Sequence, residues 1–207
     1  MSSPTLPALP TSPRLILGST SPYRRELLQR LRLNFEVDAP RVDESPRPGE
    51  APADLACRLA LEKAREVASR HPGAVVIGAD QVADLDGLAV GKPGTHAAAV
   101  AQLQALRGRS VVFHTAVAVV RADTDLAQVL STPVAVRFRP LTDAEIARYL
   151  RLEQPYDCAG SAKCETLGIA LLESIDSDDP TALVGLPLIR TCTLLRAAGI
   201  DPLAEPA

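Results

Sequence analysis

Tryptophan is missing from this 207-residue chain, and tyrosine and phenylalanine occur only three times each. Little is left with which to stack bases, and a formal net charge of -3 supplies no basic field to draw in DNA or RNA. A nucleic-acid partner is therefore not expected. No apolar run approaches the roughly 20 residues that cross a bilayer, so a membrane partner is not expected either. Cys57, Cys158, Cys164 and Cys192 show no C-x-x-C spacing, and His71, His96 and His114 form no H-x-x-x-H pair. Both patterns argue against a zinc site. G-x-S-x-G, G-x-x-x-x-G-K and G-x-G-x-x-G are also absent, against serine hydrolase, P-loop and dinucleotide readings. Met1–Pro13 carries Pro4, Pro7, Pro10 and Pro13 without the basic start or apolar centre of a signal peptide. A disordered tail is expected there and a short one over 203–207, with reduced thiols and a cytoplasmic location.

What remains is ordinary globular material, 46% hydrophobic and 23% charged. It suits one α/β domain over 14–202, in two lobes. Leu15–Leu17 and Val75–Ala79 read as strands covered on both faces. Helical patterns over Pro22–Arg30 and Asp54–Arg70 separate them, which suggests a sheet with parallel elements and helices packed on it. Val82–Leu85 and Leu88–Gly91 flank Asp86-Gly87 as a hairpin. A helix over His96–Leu106, strands over Val111–Arg121 and Val129–Arg139, and a capping box opening at Thr142 with Glu145 follow. Pro187 starts the last helix and Gly199 ends it. Ala39–Pro52 is a long polar loop of the kind that often carries function.

The most informative stretch is Ser19-Thr20-Ser21-Pro22-Tyr23-Arg24-Arg25. Ser21 suits an N-cap and Pro22 the first helical position. The unpaired N–H groups of that turn favour an anion, and Arg24 and Arg25 add forked donors for phosphate oxygens. Ser19 follows the first strand, and Asp80 follows Val75–Ala79 in the same way. Ligands of open α/β sheets bind beyond such strand ends. Lys63 lies on the apolar stripe of its helix with Leu59 and Val67. It is either paired there or a stem whose ammonium snorkels out, and the helix alone does not choose. Arg58, Glu62, Arg65 and Glu66 read as a solvated face with i,i+3 and i,i+4 pairs. Lys92 and Lys163 sit in short loops of small residues. Asp43 and Glu44 offer carboxylates to a metal. Asp176-Ser177-Asp178-Asp179-Pro180-Thr181 lacks EF-hand spacing and reads as a solvated turn.

In order and spacing, Ser19–Arg25, Glu44, Glu62-Lys63-Ala64, Gly78-Ala79-Asp80-Gln81, Gly91-Lys92-Pro93, Gly160-Ser161-Ala162-Lys163 and Val184-Gly185-Leu186-Pro187 together resemble the Maf-like nucleotide pyrophosphatases, from Arg14 to about Pro202. The resemblance implies an α/β fold whose mixed central sheet is flanked by helices, in two lobes around an active-site cleft, as in inosine-triphosphatase-like proteins. It implies a homodimer that hydrolyses nucleoside triphosphates to monophosphate and diphosphate with Mg2+ or Mn2+. Asp80 becomes the proton acceptor, with Asp80 and Glu44 as metal ligands. Ser19, Arg24, Arg25, Lys63, Lys92 and Lys163 become the phosphate-binding set. Within the family the chain is most similar to the subgroup acting on 7-methyl-GTP, whose specificity positions fall on Tyr23, Gln81 and Glu165. Tyr23 replaces the family's usual arginine, and a tyrosine face attracts a cationic base that an arginine would repel. Glu165 adds a countercharge, and Gln81 offers both donor and acceptor. The alternatives are a pyrophosphatase acting on dTTP, UTP or another modified nucleotide, and a regulatory protein of septum formation.

Overall fold

The structure, a computed structural model, describes residues 13–204, so most of both expected tails lies outside the described residues. In chain order β1 (Leu15–Gly18) leads into α1 (Pro22–Gln29), β2 (Glu36–Asp38), α2 (Pro52–Arg70) and β3 (Val75–Leu85). Then come β4 (Leu88–Val90), α3 (His96–Leu106), β5 (Ser110–Arg121) and β6 (Leu126–Phe138). The chain finishes with α4 (Asp143–Glu153), β7 (Leu172–Asp176) and α5 (Leu188–Ala197), joined by short 3-10 turns.

The seven strands form one mixed sheet in the order β2-β1-β3-β5-β6-β7, with β4 hairpinned onto β3. β1 runs parallel to β2 and β3, and the remaining pairs are antiparallel. Strand alternation divides the central core. Leu15, Leu17, Val75, Ile77, Val117 and Val119 face Leu27, Leu28, Leu194 and Leu195 of α1 and α5. Ile16, Val76, Ala116 and Ala118 face Leu55, Leu59, Ala60 and Val67 of α2. The far ends of β5 and β6 carry Phe113, Val134 and Phe138 into a separate core with α3 and α4. The long strands thus tie two lobes into one sheet.

The expected α/β architecture is the observed one, the Asp86-Gly87 hairpin included, with three adjustments. β3 does not stop at Ala79; it runs unbroken to Leu85, so Asp80 lies inside a strand. Its parallel neighbour β1 ends opposite Gly78, and it is beyond that end that Asp80 emerges. β2 and β7 carried too little apolar pattern to be anticipated; their residues are largely exposed. The turn at Asp86-Gly87 has positive φ at both residues (54° and 83°), as a type I′ hairpin requires. Finally, the acidic run at 176–181 is not simply solvated. Asp179 is 1% exposed, and its Oδ2 accepts from Ile189 N at 2.7 Å in the first turn of α5.

Candidate active site

A cleft of about 270 Å³ opens between the lobes, beyond the end of β1. The Ser19–Arg24 turn, Glu44, Lys63 and Gln81 line one side, and Lys92, Cys158 and Glu165 the other, with Leu183–Gly185 between.

The turn is built as its sequence implies. Ser21 is the N-cap, its hydroxyl accepting from Arg24 N at 3.4 Å, and Pro22 occupies the first turn. Ser19 is buried, and its Oγ accepts from Ser21 N at 3.1 Å. The two arginines part company, because successive helical residues point about 100° apart. Arg24 turns into the cleft, where its Nε donates to Gly185 O at 2.8 Å. Arg25 is exposed and lines a separate hollow with Gln29, Asn34 and Phe35. Arg25 therefore does not join Arg24 in the cleft. Burial pulls the Arg24 pKa down while Asp80 and Glu44 oppose that shift, and a guanidinium stays charged regardless.

Lys63 is paired rather than snorkelling. Its Nζ, on a side chain only 6% exposed, donates to Asp80 Oδ1 at 2.6 Å and lies 2.8 Å from Glu44 Oε1. The approach depends on glycine. A Cβ at Gly78 would run into the Ala60 carbonyl oxygen and lie 2.6 Å from Ala64 N, the backbone on either side of Lys63. Gly18, its partner on β1, is tight against Val67 and Ile77. Bare backbone at this point lets α2 sit close enough for its lysine to reach the sheet.

The charges of α2 expected on a solvated face do more than pair along the helix. Arg58–Glu62 and Glu66–Arg70 are indeed i,i+4 pairs. Arg58 also grips Glu50 and Ser45 O, Arg47 reaches Glu62, and Glu66 accepts from Arg41 N. These contacts fasten the 39–52 loop and so present Glu44 to Lys63. Burial raises the Glu44 pKa, but the Lys63 hydrogen bond and the charges of Lys63, Lys92 and Arg24 outweigh it, and the net shift is downward.

Tyr23 and Glu165 also line the cleft. Lys163 Nζ lies 5.1 Å from the Tyr23 ring centroid, so a lysine already takes the cation's place over the ring. Burial, with Cys158, Asp157 and Glu165 nearby, pushes the Tyr23 pKa up. Gln81 differs from expectation. Its Nε2 donates inward to Thr115 Oγ1, Ala182 O and Leu183 O, so its donors are consumed.

Two positioning clusters were not anticipated. Gln102 on α3 donates to Gly91 O at 3.0 Å and accepts from Ser161 Oγ at 2.6 Å, joining the loops that carry Lys92 and Lys163. Asp179 accepts from Thr181 N and Thr181 Oγ1 at 3.0 and 2.7 Å, fixing the segment that offers Gly185 O to Arg24. The Asp-Pro-Thr spacing signals a local turn; no pattern in the sequence marks Gln102 or Thr115.

Asp80 and Glu44 converge on the Lys63 ammonium, which occupies the point between them; carboxylate oxygens are the donors that Mg2+ or Mn2+ takes, with substrate phosphates filling the remaining positions. Among the described residues no three acidic, histidine or cysteine side chains gather as a self-sufficient site. The nearby cations, Arg24, Lys63, Lys92 and Lys163, are largely offset by Asp80, Glu44 and Glu165. A triphosphate would need further positive charge, which a divalent ion supplies.

Known proteins share this chain's pattern over nearly its whole length. The profile described as Maf-like protein matches residues 14–198. A 7-methyl-GTP pyrophosphatase from Albidiferax ferrireducens is 68% identical over 194 residues, 94% of this chain and 98% of that protein. Proteins of the same name from Polaromonas sp. and Cupriavidus metallidurans are 68% and 59% identical. They cover 95% and 91% of this chain, and 90% and 95% of their own lengths. Among the described residues no helix is long and apolar enough to cross a membrane.

Proposed function

We propose that this chain, which belongs to the Maf family, is a nucleoside triphosphate pyrophosphatase that converts 7-methyl-GTP and water to 7-methyl-GMP and diphosphate. The observation that carries the reading is a lysine from α2 and an arginine from α1 lining one cleft, with an acid from β3 held directly behind that lysine and with Tyr23 and Glu165 in the same lining. Such an arrangement grips a triphosphate and leaves an aromatic and a carboxylate for the base.

In this reading Ser19, the first turn of α1, Arg24, Lys63, Lys92 and Lys163 hold the phosphates, by the charge-assisted hydrogen bonds that anions draw from helix N-termini and cations. Asp80 accepts a proton from water as the water oxygen bonds to the α-phosphorus; the bond from that phosphorus to the bridging oxygen breaks and diphosphate leaves. Lys63 keeps Asp80 oriented through their hydrogen bond. Most of the rate comes from positioning and from charge stabilisation. Mg2+ or Mn2+ held by Asp80 and Glu44 would neutralise charge developing on the phosphates.

Methylation at the 7 position makes guanine cationic. Tyr23 then favours it by about 0.5–2 kcal/mol through its ring, and Glu165 by charge. The cationic base takes over the ring face that Lys163 covers, freeing Lys163 for phosphate. We place the reaction in the cytoplasm, a compartment that suits the four free thiols. The test is kcat/KM for diphosphate release from 7-methyl-GTP, GTP, dTTP, UTP and CTP, with and without Mg2+. The methylated nucleotide should lead the panel; faster cleavage of dTTP or UTP would overturn the assignment.

A further inference from the structure

Gln81 sits where a base edge would meet the cleft, yet its amide is not free to choose partners. Nε2 lies 2.9 Å from Thr115 Oγ1, 3.1 Å from Ala182 O and 3.0 Å from Leu183 O. Two of those three are carbonyl oxygens, which only accept. The amide is therefore turned one way, with its two N–H hydrogens shared among three inward acceptors. Its Oε1 is what remains to meet a ligand.

Thr115 closes this arrangement from beneath. It is fully buried on β5, directly across from Gln81 in the β3–β5 register. Its hydroxyl donates to Ala182 O at 3.0 Å and accepts from Gln81 Nε2. Its orientation is thus fixed as firmly as that of the amide. The carbonyls of 182 and 183 are in turn held by the turn that Asp179 and Thr181 organise.

We infer that Thr115 is a positioning residue for base selection: by locking the Gln81 amide it leaves only an acceptor facing the cleft, and so selects a base edge that donates. Guanine presents two adjacent donors, N1–H and the N2 amino group; adenine presents one, its N6 amino group, beside an acceptor at N1. Gln81, which lines the cleft, offers through Oε1 a match to the first and an opposing acceptor to N1 of the second. The inference rests on the cleft being the nucleotide site proposed above. It divides recognition into two independent parts, guanine against adenine at Gln81 and methylated against unmethylated guanine at Tyr23 and Glu165.

The full chain and its Thr115→Val, Thr115→Ala and Thr115→Ser variants are compared on 7-methyl-GTP, GTP and ATP. The two hydroxyl-free variants should lose about tenfold of the guanine-over-adenine ratio in kcat/KM, the worth of roughly one hydrogen bond, chiefly through KM for the guanine nucleotides. The 7-methyl-GTP over GTP ratio should stay within threefold, and Thr115→Ser should behave as the parent. In a Gln81→Ala background the Thr115 effect should vanish. Gln81→Glu, which sets a carboxylate against two carbonyl oxygens, should melt earlier than the parent.

An unchanged guanine-over-adenine ratio in the Thr115 variants overturns the inference, as does equal loss of both ratios, which marks a merely structural role. A Thr115 effect that persists without Gln81, or a Gln81→Glu protein that melts like the parent, also overturns it. Failure of the parent enzyme to prefer 7-methyl-GTP at all would instead refute the proposed function.

Discussion

Lys63 Nζ lies 2.6 Å from Asp80 Oδ1, and both residues are nearly excluded from solvent. A buried ion pair is costly to assemble and costlier to break, because the survivor is left uncompensated. Here the same ammonium also meets Glu44, so the loss of one acid leaves the lysine with a partner.

Replacing Asp80 with asparagine therefore separates chemistry from folding. Asn accepts the Lys63 hydrogen bond but does not take a proton from water. Diphosphate release from Asp80→Asn should fall by about 100-fold to 10,000-fold, the range of a lost general base. Thermal melting should shift by only a few degrees.

Gly78 and Gly18 are register partners with different clearances. At Gly78 a Cβ would strike backbone that cannot give way, whereas at Gly18 the contacts with Ile77 O and Val67 Cγ2 are 3.2 Å. Gly78→Ala should cost about 3 kcal/mol or more, the upper end for overpacking. It should also lower activity by displacing α2 and Lys63. Gly18→Ala should be milder on both counts, which urea unfolding and turnover measurements will compare.

Acid should loosen the loop and helix end that flank Lys63. Hydrogen bonds from Arg70 and then His71 hold Asp38 down to about 2, and Arg58 with the Arg47 backbone does the same for Glu50. Both values lie below those of the unfolded chain, so the stabilisation is complete above about pH 4.5. It is lost as pH falls toward 2. The melting temperature should decline over that window, and Glu50→Gln should flatten part of the decline.

Thiol chemistry should be slow. Burial, then Asp157 and Glu165, pushes Cys158 up to about 12, and burial with Glu165 does the same for Cys164. Thiolate is the reactive form, so alkylation of both in the native chain at pH 8 should lag far behind the urea-unfolded chain. Rapid native labelling at pH 8 would contradict this environment.

Much of this was legible in the sequence because it is written locally. Ser21-Pro22 announces its helix start, Thr142 and Glu145 their capping box, and Asp86-Gly87 its hairpin. The long apolar stripe of α2 made Lys63 conspicuous. What stayed hidden depends on distance in the chain. β2 and β7 are sheet edges, and their exposed residues lack the apolar alternation that marks a strand. Asp80 looked like a strand end because, with Gln81, it closes the apolar run Val75–Ala79, yet β3 continues to Leu85. The direction of Arg25 and the grip of Thr115 on Gln81 each require a partner dozens of residues away or a helix phase that only packing sets, and the burial of Asp179 depends on the start of α5 meeting its turn.

The central claim, that this cleft delivers water to the α-phosphorus of 7-methyl-GTP, is tested most directly by hydrolysis in 18O-labelled water with mass analysis of both products. The account predicts one label in 7-methyl-GMP and none in diphosphate. Label in the diphosphate, or release of inorganic phosphate and 7-methyl-GDP, would contradict it.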